Sequence, residues 1–436
     1  MSGQPQQHTI FGVPIVVALF FLGIMLPTAV SLNLGGLRLS AYRVVLILCF
    51  LPMLMRLFSG RSGRINVFDM LLGLHCAWVV VALIKWGGPA QGIESGGIYV
   101  IECAGAYLLG RLYIRSYEDF AAMARAYVAM VVGLLIFTVP EAITGVHILH
   151  DGISSVVGGP AAPFIEKRMG LERTFGPFDH PILYGVFSAS AFSLAYFVIS
   201  ERRLSNYGGM AKVVGVSLAT FMSLSGGPYV VLIMQGFVAA WERMLSQIHG
   251  RWTALFTFFG LTYFAINLLS TKTPFHVFVN YFSFSKQSAY NRILIWEYGT
   301  AEVARYPTFG IGFADWTRPS WMSDSMDNFW LVIAVRYGLP ALGLLLALLL
   351  GLVFVAGRRK NLPADWRRAR HAWAFTLFGI SVAAATVHLW NALFVLFFVL
   401  LGAGAWLTDV RPHAPAREAK PRPSSTPRGF APARLF

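Results

Sequence analysis

The stretch SDSMDNFWLVIAVRYGLPALGLLLALLLGLVFVAGRRK, residues 323–360, brings two aspartates and an asparagine to the head of an apolar run that lasts until Arg358, Arg359 and Lys360. As one helix, Asp327 to Ala356 would be about 45 Å long at ~1.5 Å per residue. That length matches a bilayer with its headgroups, about 40–45 Å, better than the ~30 Å hydrocarbon core. Gly338 and Pro340 divide the run. Leu339 to Val355 then makes the crossing, and DNFWLVIAVRYG forms a shorter helix at the outer interface. Asp327 and Asn328 stand at a helix N-terminus, where a carboxylate serves either as a cap or as a proton acceptor.

Composition agrees that lipid is the solvent. Of 436 residues, 56% are hydrophobic and 13% charged, against about 45–50% and about 25% in soluble domains. The net charge of +15 is carried by short basic clusters between apolar runs. Such clusters orient a polytopic membrane protein; they do not build a nucleic-acid-binding surface. Cys49, Cys76 and Cys103 all lie inside apolar runs, so neither a disulfide framework nor a metal site is expected. The first run, from about Phe11 to Leu32, lacks a basic leader and reads as a retained span.

Apolar runs lie at 11–31, 40–58, 68–87, 94–112, 120–140, 181–199, 207–223, 228–243, 252–269, 328–357, 373–388 and 390–407. They predict an all-α polytopic membrane protein of about twelve transmembrane helices. Every second connection is rich in arginine, which places both termini in the cytoplasm and makes 141–180 and 270–326 long periplasmic loops. The expected divisions are N-terminal helices over 1–140, a catalytic core with both loops over 141–357, and C-terminal helices over 358–408. The tail over 409–436 is basic and Pro-rich, and is expected to be disordered against anionic headgroups.

Long loops in a compact fold usually carry function. The first ends FIEKRMGLERTFGPFDHPILYG, residues 164–185, where Arg168 and Arg173 run against the positive-inside trend. Guanidinium pairs bidentately with phosphate, and Gly170 and Gly176 would let backbone approach a bulky headgroup. The plain alternative is an ion pair of Glu172 with Arg173. The second loop carries a helical pattern over 290–305, with Ile293, Trp296, Val303 and Ala304 on one side and Asn291, Arg292 and Glu302 elsewhere. Arg292 and Trp296 are four apart and so are neighbours on a helix. SLSGGP, residues 223–228, reads as a tight turn whose hydroxyls satisfy freed backbone groups, since the GxSxG spacing of a nucleophile elbow is absent. Glu102 is the carboxylate that looks deepest in the membrane.

In order and topology, RTFGPFDHP, SLSGGP, NRILIWEYGTAEVARYPTFGIG and DNFWLVIAVRYGLPAL resemble the O-antigen ligase-like and polysaccharide polymerase family of integral membrane glycosyltransferases, over residues 160–357. The resemblance implies a multi-pass protein of the bacterial inner membrane whose site faces the periplasm. It implies polyprenyl-diphosphate-linked oligosaccharides as donor and acceptor, no cofactor or metal, and a chain-length regulator as a further partner. Arg173 and Arg292 match the arginines that engage the diphosphate in that family. Gly226 stands where relatives often carry arginine. Asp327 stands where ligase members carry histidine, which favours a polymerase over a ligase.

Arg173 and Arg292 are therefore the expected stabilisers of the leaving diphosphate, and Asp327 the expected base if partial burial raises its pKa, with His180 as its rival. Arg168, His180, Asn291, Trp296, Asn328 and Arg336 are the expected substrate-binding residues. A flippase or exporter of lipid-linked glycans is the alternative from another class; it would place broken helices and charges near the midplane.

Overall fold

The computed structural model describes residues 8–27, 30–34, 37–60, 63–157, 162–282 and 286–409. The tail expected to be disordered lies, beyond Asp409, outside them. The described chain is mainly helical, with two short antiparallel β pairs that the all-α expectation did not include. These are β1 (Thr9–Ile10) with β2 (Val13–Pro14), and β3 (Ser31–Leu34) with β4 (Leu37–Ser40). They frame α1, which covers only Ile15–Ile24 of the expected 11–31 span. Pro14 stands at its N-cap, and the chain turns again at Pro27, whose carbonyl accepts from Val30 N at 2.8 Å. Ten helical residues are half of what a crossing needs.

Seven helical stretches among the described residues are long and apolar enough to cross a membrane: Ala41–Phe58, Val67–Tyr113, Tyr117–Thr144, Pro181–Ile199, Arg251–Leu269, Phe329–Arg358 and Ala392–Asp409. In chain order, α2 is Ala41–Phe58, α3 Val67–Val100, and α4 Ala106–Tyr113, with a π-helical turn at Ile101–Gly105 between the last two. The chain from α3 to α4 is not one rod. Gly88 leaves helical geometry at φ 76° just before Pro89, and the two arms fold back on each other. His75 Nε2 meets the Tyr99 hydroxyl at 2.7 Å and Tyr107 donates to Asp69 at 3.1 Å. The expected runs at 68–87 and 94–112 are thus separate antiparallel helices. Glu102 sits on the π-helical turn and is paired, taking Nε and Nη2 of Arg43 at 3.0 and 2.8 Å.

The chain continues through α5 (Tyr117–Thr144), α6 (Ile148–Val157), α7 (Pro181–Ser190), α8 (Phe192–Leu194), α9 (Tyr207–Met222), α10 (Gly226–Met244) and α11 (Arg251–Leu269). After α12 (Pro274–Phe282) and α13 (Lys286–Arg305) come α14 (Phe329–Arg358), α15 (Ala364–Ala383), α16 (Ala392–Ala403) and α17 (Trp406–Asp409). α16 is buried along its whole length. It lies so close to α4 that a Cβ on Gly402 would stand 2.1 Å from Tyr107 O; small residues are what permit such backbone approach between apolar helices. α11 is the opposite case, apolar on every face with Leu255 alone buried. A helix that exposes Phe256, Phe258, Leu261 and Phe264 belongs in lipid, and the protein is membrane-embedded.

α14 breaks where the sequence divides it, at Gly338 with φ 85° and ψ 170°. The break is stitched to the preceding turn: Leu339 N donates to Pro307 O at 2.7 Å, and Ile311 and Gly312 N donate to Val335 and Arg336 O at 2.8 and 2.9 Å. The Phe329–Tyr337 half does not lie on a surface, as an interfacial helix would. It is buried, with Phe329 against Phe394 and Phe397 of α16, because FWLVIAV is apolar on all sides and has no face to offer water. α13 also turns differently from its expected register. Its buried stripe is Ile295, Gly299 and Glu302, since Gly299 alone leaves room for Leu331. Glu302 keeps a partner there in Arg305 at 3.1 Å.

Candidate functional site

The loop that carries Arg168 and Arg173 is fixed by a buried carboxylate. Glu141, in the last turn of α5, is fully buried and accepts from Phe175 N at 2.8 Å, Gly176 N at 3.3 Å and His147 Nδ1 at 2.8 Å. Gly176 has φ 52°, a left-handed conformation that glycine adopts without strain. Two backbone bonds complete the seat, Glu172 N to Ala142 O and Thr174 N to Met222 O, at 3.1 and 3.2 Å.

Glu141→Gln is expected to cost about 1–3 kcal/mol of stability, because an amide replaces a charged acceptor of two backbone N–H groups. Burial disfavours the His147 cation, but the bond and charge of Glu141 outweigh it and raise the His147 pKa overall. That contribution to stability is complete below the unfolded histidine value and is lost as pH rises through the raised one. Thermal unfolding against pH should show the loss in the parent and not in the variant.

Seated this way, the loop lays both arginines on the SLSGGP turn. Arg173 Nη2 donates to Ser225 Oγ at 2.7 Å and Arg168 Nη1 to Leu224 O at 2.9 Å. Ser225 gives its own proton to Ser223 O at 2.8 Å, so its oxygen is left as an acceptor for the guanidinium. The turn is the structural one expected, and it has the added task of aiming Arg173. Glu172 does not pair with Arg173; it takes Lys167 at 2.9 Å. Among the described residues no carboxylate pairs with Arg168 or Arg173, and the buried Nε of Arg173 has no hydrogen-bond partner.

The charges converge. Burial, then repulsion from Arg168, pushes the Arg173 pKa down to about 10. Burial, then Arg173 and Arg168, pushes His180 down to about 4. Arg292 is lowered by burial and by Arg168, against the attraction of Asp327. Arg168, Arg173, His180, Arg292 and Asp327, from two loops far apart in sequence, thus act on one another at one end of the helices.

Two expected roles are redistributed. Asn328 is the cap of α14, accepting from Leu331 N at 3.0 Å. Asp327 does not cap; its carboxylate is partly exposed and accepts from the Ser325 hydroxyl at 2.9 Å. His180 caps α7 through Nδ1, which accepts from Ile182 N at 3.1 Å. That bond assigns the proton of the neutral ring to Nε2. In that tautomer the other ring nitrogen of His180 is a donor.

Asn291 and Trp296 share a helix with Arg292, but their side chains take other partners. Asn291 is exposed and accepts from Gln287 at 3.0 Å. Trp296 is stacked on Phe275 of α12, ring centroids 4.4 Å apart. Arg336 lies farther along α14, its guanidinium 5.1 Å from the Phe313 ring centroid.

The sequence reading missed residues 384–391. The expected spans at 373–388 and 390–407 leave no loop there, whereas α15 ends at Ala383 and α16 begins at Ala392. The bend between them touches residues of both loops. Thr386 O accepts Arg292 Nε at 3.2 Å, His388 stacks on Phe329, Trp390 lies beside His180, and Asn391 Nδ2 donates to Asp179 Oδ2 at 3.0 Å. Gly227 admits the bend against the SLSGGP turn, since a Cβ there would stand 2.4 Å from Val387. The available signal was HLWN, a polar interruption in an otherwise apolar stretch.

Compared with known proteins, the chain matches no protein-family model and no curated protein sequence.

Proposed function

We propose that the protein is a polymerase of polyprenyl-diphosphate-linked oligosaccharide repeat units, a metal-independent glycosyltransferase of the bacterial inner membrane. In this reading about twelve helices cross the bilayer, both termini are cytoplasmic, and the arginine cluster faces the periplasm. The observation that carries it is Arg173: a buried guanidinium that pairs with no carboxylate among the described residues, though the charge of Glu166 acts on it, with an orphan Nε–H and with Arg168 beside both it and Arg292. Cations crowded at such cost require an anion to gather them, and a diphosphate presents several oxygens in the geometry guanidinium prefers.

An acceptor sugar hydroxyl attacks the anomeric carbon of the donor, and the bond from that carbon to the diphosphate oxygen breaks. The leaving polyprenyl diphosphate keeps the electron pair, and Arg173, Arg292 and Arg168 stabilise its charge. Asp327, beside Arg292, takes the hydroxyl proton. In this reading His180 Nε2–H donates to a phosphate or sugar oxygen. Asp327→Asn is expected to slow elongation by about 10²–10⁴-fold, the usual worth of a positioned base; undiminished elongation would remove Asp327 from this role.

The deciding experiment gives purified protein in proteoliposomes a supply of lipid-linked repeat units and resolves the products by length. A ladder of longer chains is expected. Movement of the lipid-linked units across the bilayer without new glycosidic bonds identifies an exporter, transfer to a non-glycan lipid identifies a ligase, and either result replaces the polymerase reading.

A further inference from the structure

Beside the arginine cluster, residues 311–326, the Phe329–Tyr337 half of α14 and the 384–391 bend enclose a cavity of about 410 Å³. Small-ligand sites span ~300–1,000 Å³. The lining is mixed in a way that narrows the ligand. Phe313 and Trp316 supply aromatic rings, Asp315 and Asp324 carboxylates, and Arg336 and His388 nitrogen groups.

Trp316 and His388 are held in place, and two polar groups of the lining are unspent, the exposed Asp324 carboxylate and the buried His388 Nδ1. Trp316 is held by its Nε1 bond to Asp324 O at 3.1 Å. Among the described residues the Asp324 carboxylate makes no hydrogen bond or ion pair. The His388 ring is held beside Phe329 and Trp390, at centroid distances of 6.3 and 5.8 Å, while its buried Nδ1 has no partner. A simple anion would meet the Asp324 carboxylate and an Asp315 carboxylate already paired with Arg318, and an apolar ligand would leave the buried His388 Nδ1 stranded. A pyranose meets both demands: its C–H face packs on an aromatic ring and its hydroxyls donate to carboxylate and imidazole.

The cavity also abuts the reacting groups. Ser325, on its wall, donates to Asp327. Thr386, two residues before His388, accepts from Arg292. Asp327 and Arg292 thus mark the seam between cavity and cluster. We infer that this cavity is the acceptor subsite, which takes a terminal pyranose of the acceptor glycan, with Asp324 and His388 reading its hydroxyls and delivering one of them to Asp327. The inference rests on the glycosyl-transfer reading above and adds the place and the recognition of the second substrate.

The test uses the full-length protein in proteoliposomes and two probes, inorganic pyrophosphate and the free repeat-unit oligosaccharide without its polyprenyl diphosphate. Sugar binding is read by saturation-transfer NMR, and acceptor KM by elongation kinetics. Asp324→Asn and His388→Gln keep side-chain shape, and thermal unfolding shows whether each variant is folded. Each is expected to weaken sugar binding and raise acceptor KM about tenfold, the worth of one polar contact. kcat should be largely kept and pyrophosphate binding unchanged.

If folded variants bind the sugar as the parent does, the inference is overturned and the polymerase reading stands. A parent that binds no sugar overturns it as well. If the parent binds sugar, the variants lose it and no chain is elongated by any of them, the cavity remains a sugar site and the polymerase reading is withdrawn.

Discussion

Arg173→Ala protein is expected to elongate chains about 10²–10³-fold more slowly than the parent, the loss that follows removal of one preorganised donor to developing charge, ~2.7–4 kcal/mol. Lysine should not restore the rate. Nη2 is committed to Ser225 and the orphan Nε–H is left for the ligand, a division that one ammonium cannot reproduce. Stability should move the other way. With its folded pKa depressed to about 10, Arg173 binds its proton less tightly folded than unfolded, so stability rises as pH climbs through the folded value toward the unfolded one. At neutral pH the residue is charged and its burial is a cost. Arg173→Gln should therefore unfold at the same temperature as the parent or a higher one, while losing elongation. Parallel kinetics and thermal unfolding would check both signs, and a fall in Tm together with activity would show that Arg173 merely holds the fold.

Gly338→Ala carries the largest expected effect on folding. At φ 85° and ψ 170° the backbone is in a region that only glycine occupies freely. A Cβ at Gly338 would stand 1.9 Å from Thr308 O. The neighbour is backbone, held in turn by the bonds of Leu339, Ile311 and Gly312, so it cannot swing aside. The penalty should exceed ~4 kcal/mol, the range of severe single-site defects. The variant should fail to accumulate in the membrane fraction. Pro340→Ala, which leaves the glycine conformation intact, should accumulate nearly as the parent does, and near-normal yield of Gly338→Ala would refute the account of the break.

How much of this could be read in advance differs by kind of information. The breaks at Gly88 and Gly338 were legible because Gly and Pro punctuate the apolar runs there. The division of labour between Asp327 and Asn328 was not, because both residue types cap helices equally well and the choice is made by a single hydrogen bond to Leu331 N. Trp296 was correctly a helical neighbour of Arg292, yet its ring turned to Phe275 because α12, unread in the sequence, lies against that face. The 384–391 bend was hidden most completely. VAAATVHLWNALF contains neither glycine nor proline, and the turn is made at Asn391 with φ 50° and ψ −123°, a positive-φ conformation outside the left-handed helical region that few residues with a Cβ adopt. Its partners Arg292, His180 and Asp179 are remote in sequence, so no local pattern announces the meeting.

That bend precedes α16, the last long helix among the described residues, and α16 is buried from end to end. Synthesis runs from the N-terminus, and early segments can pack before late ones emerge. Both arginine loops are thus translated well before the residues that join them, and Arg292 has no Thr386 carbonyl to lie against until about ninety further residues have been made. A nascent or prematurely terminated chain carries every cation of the site and still lacks its keystone. The cluster is complete only once α16 has been inserted, so molecules halted before the 384–391 bend have no assembled centre.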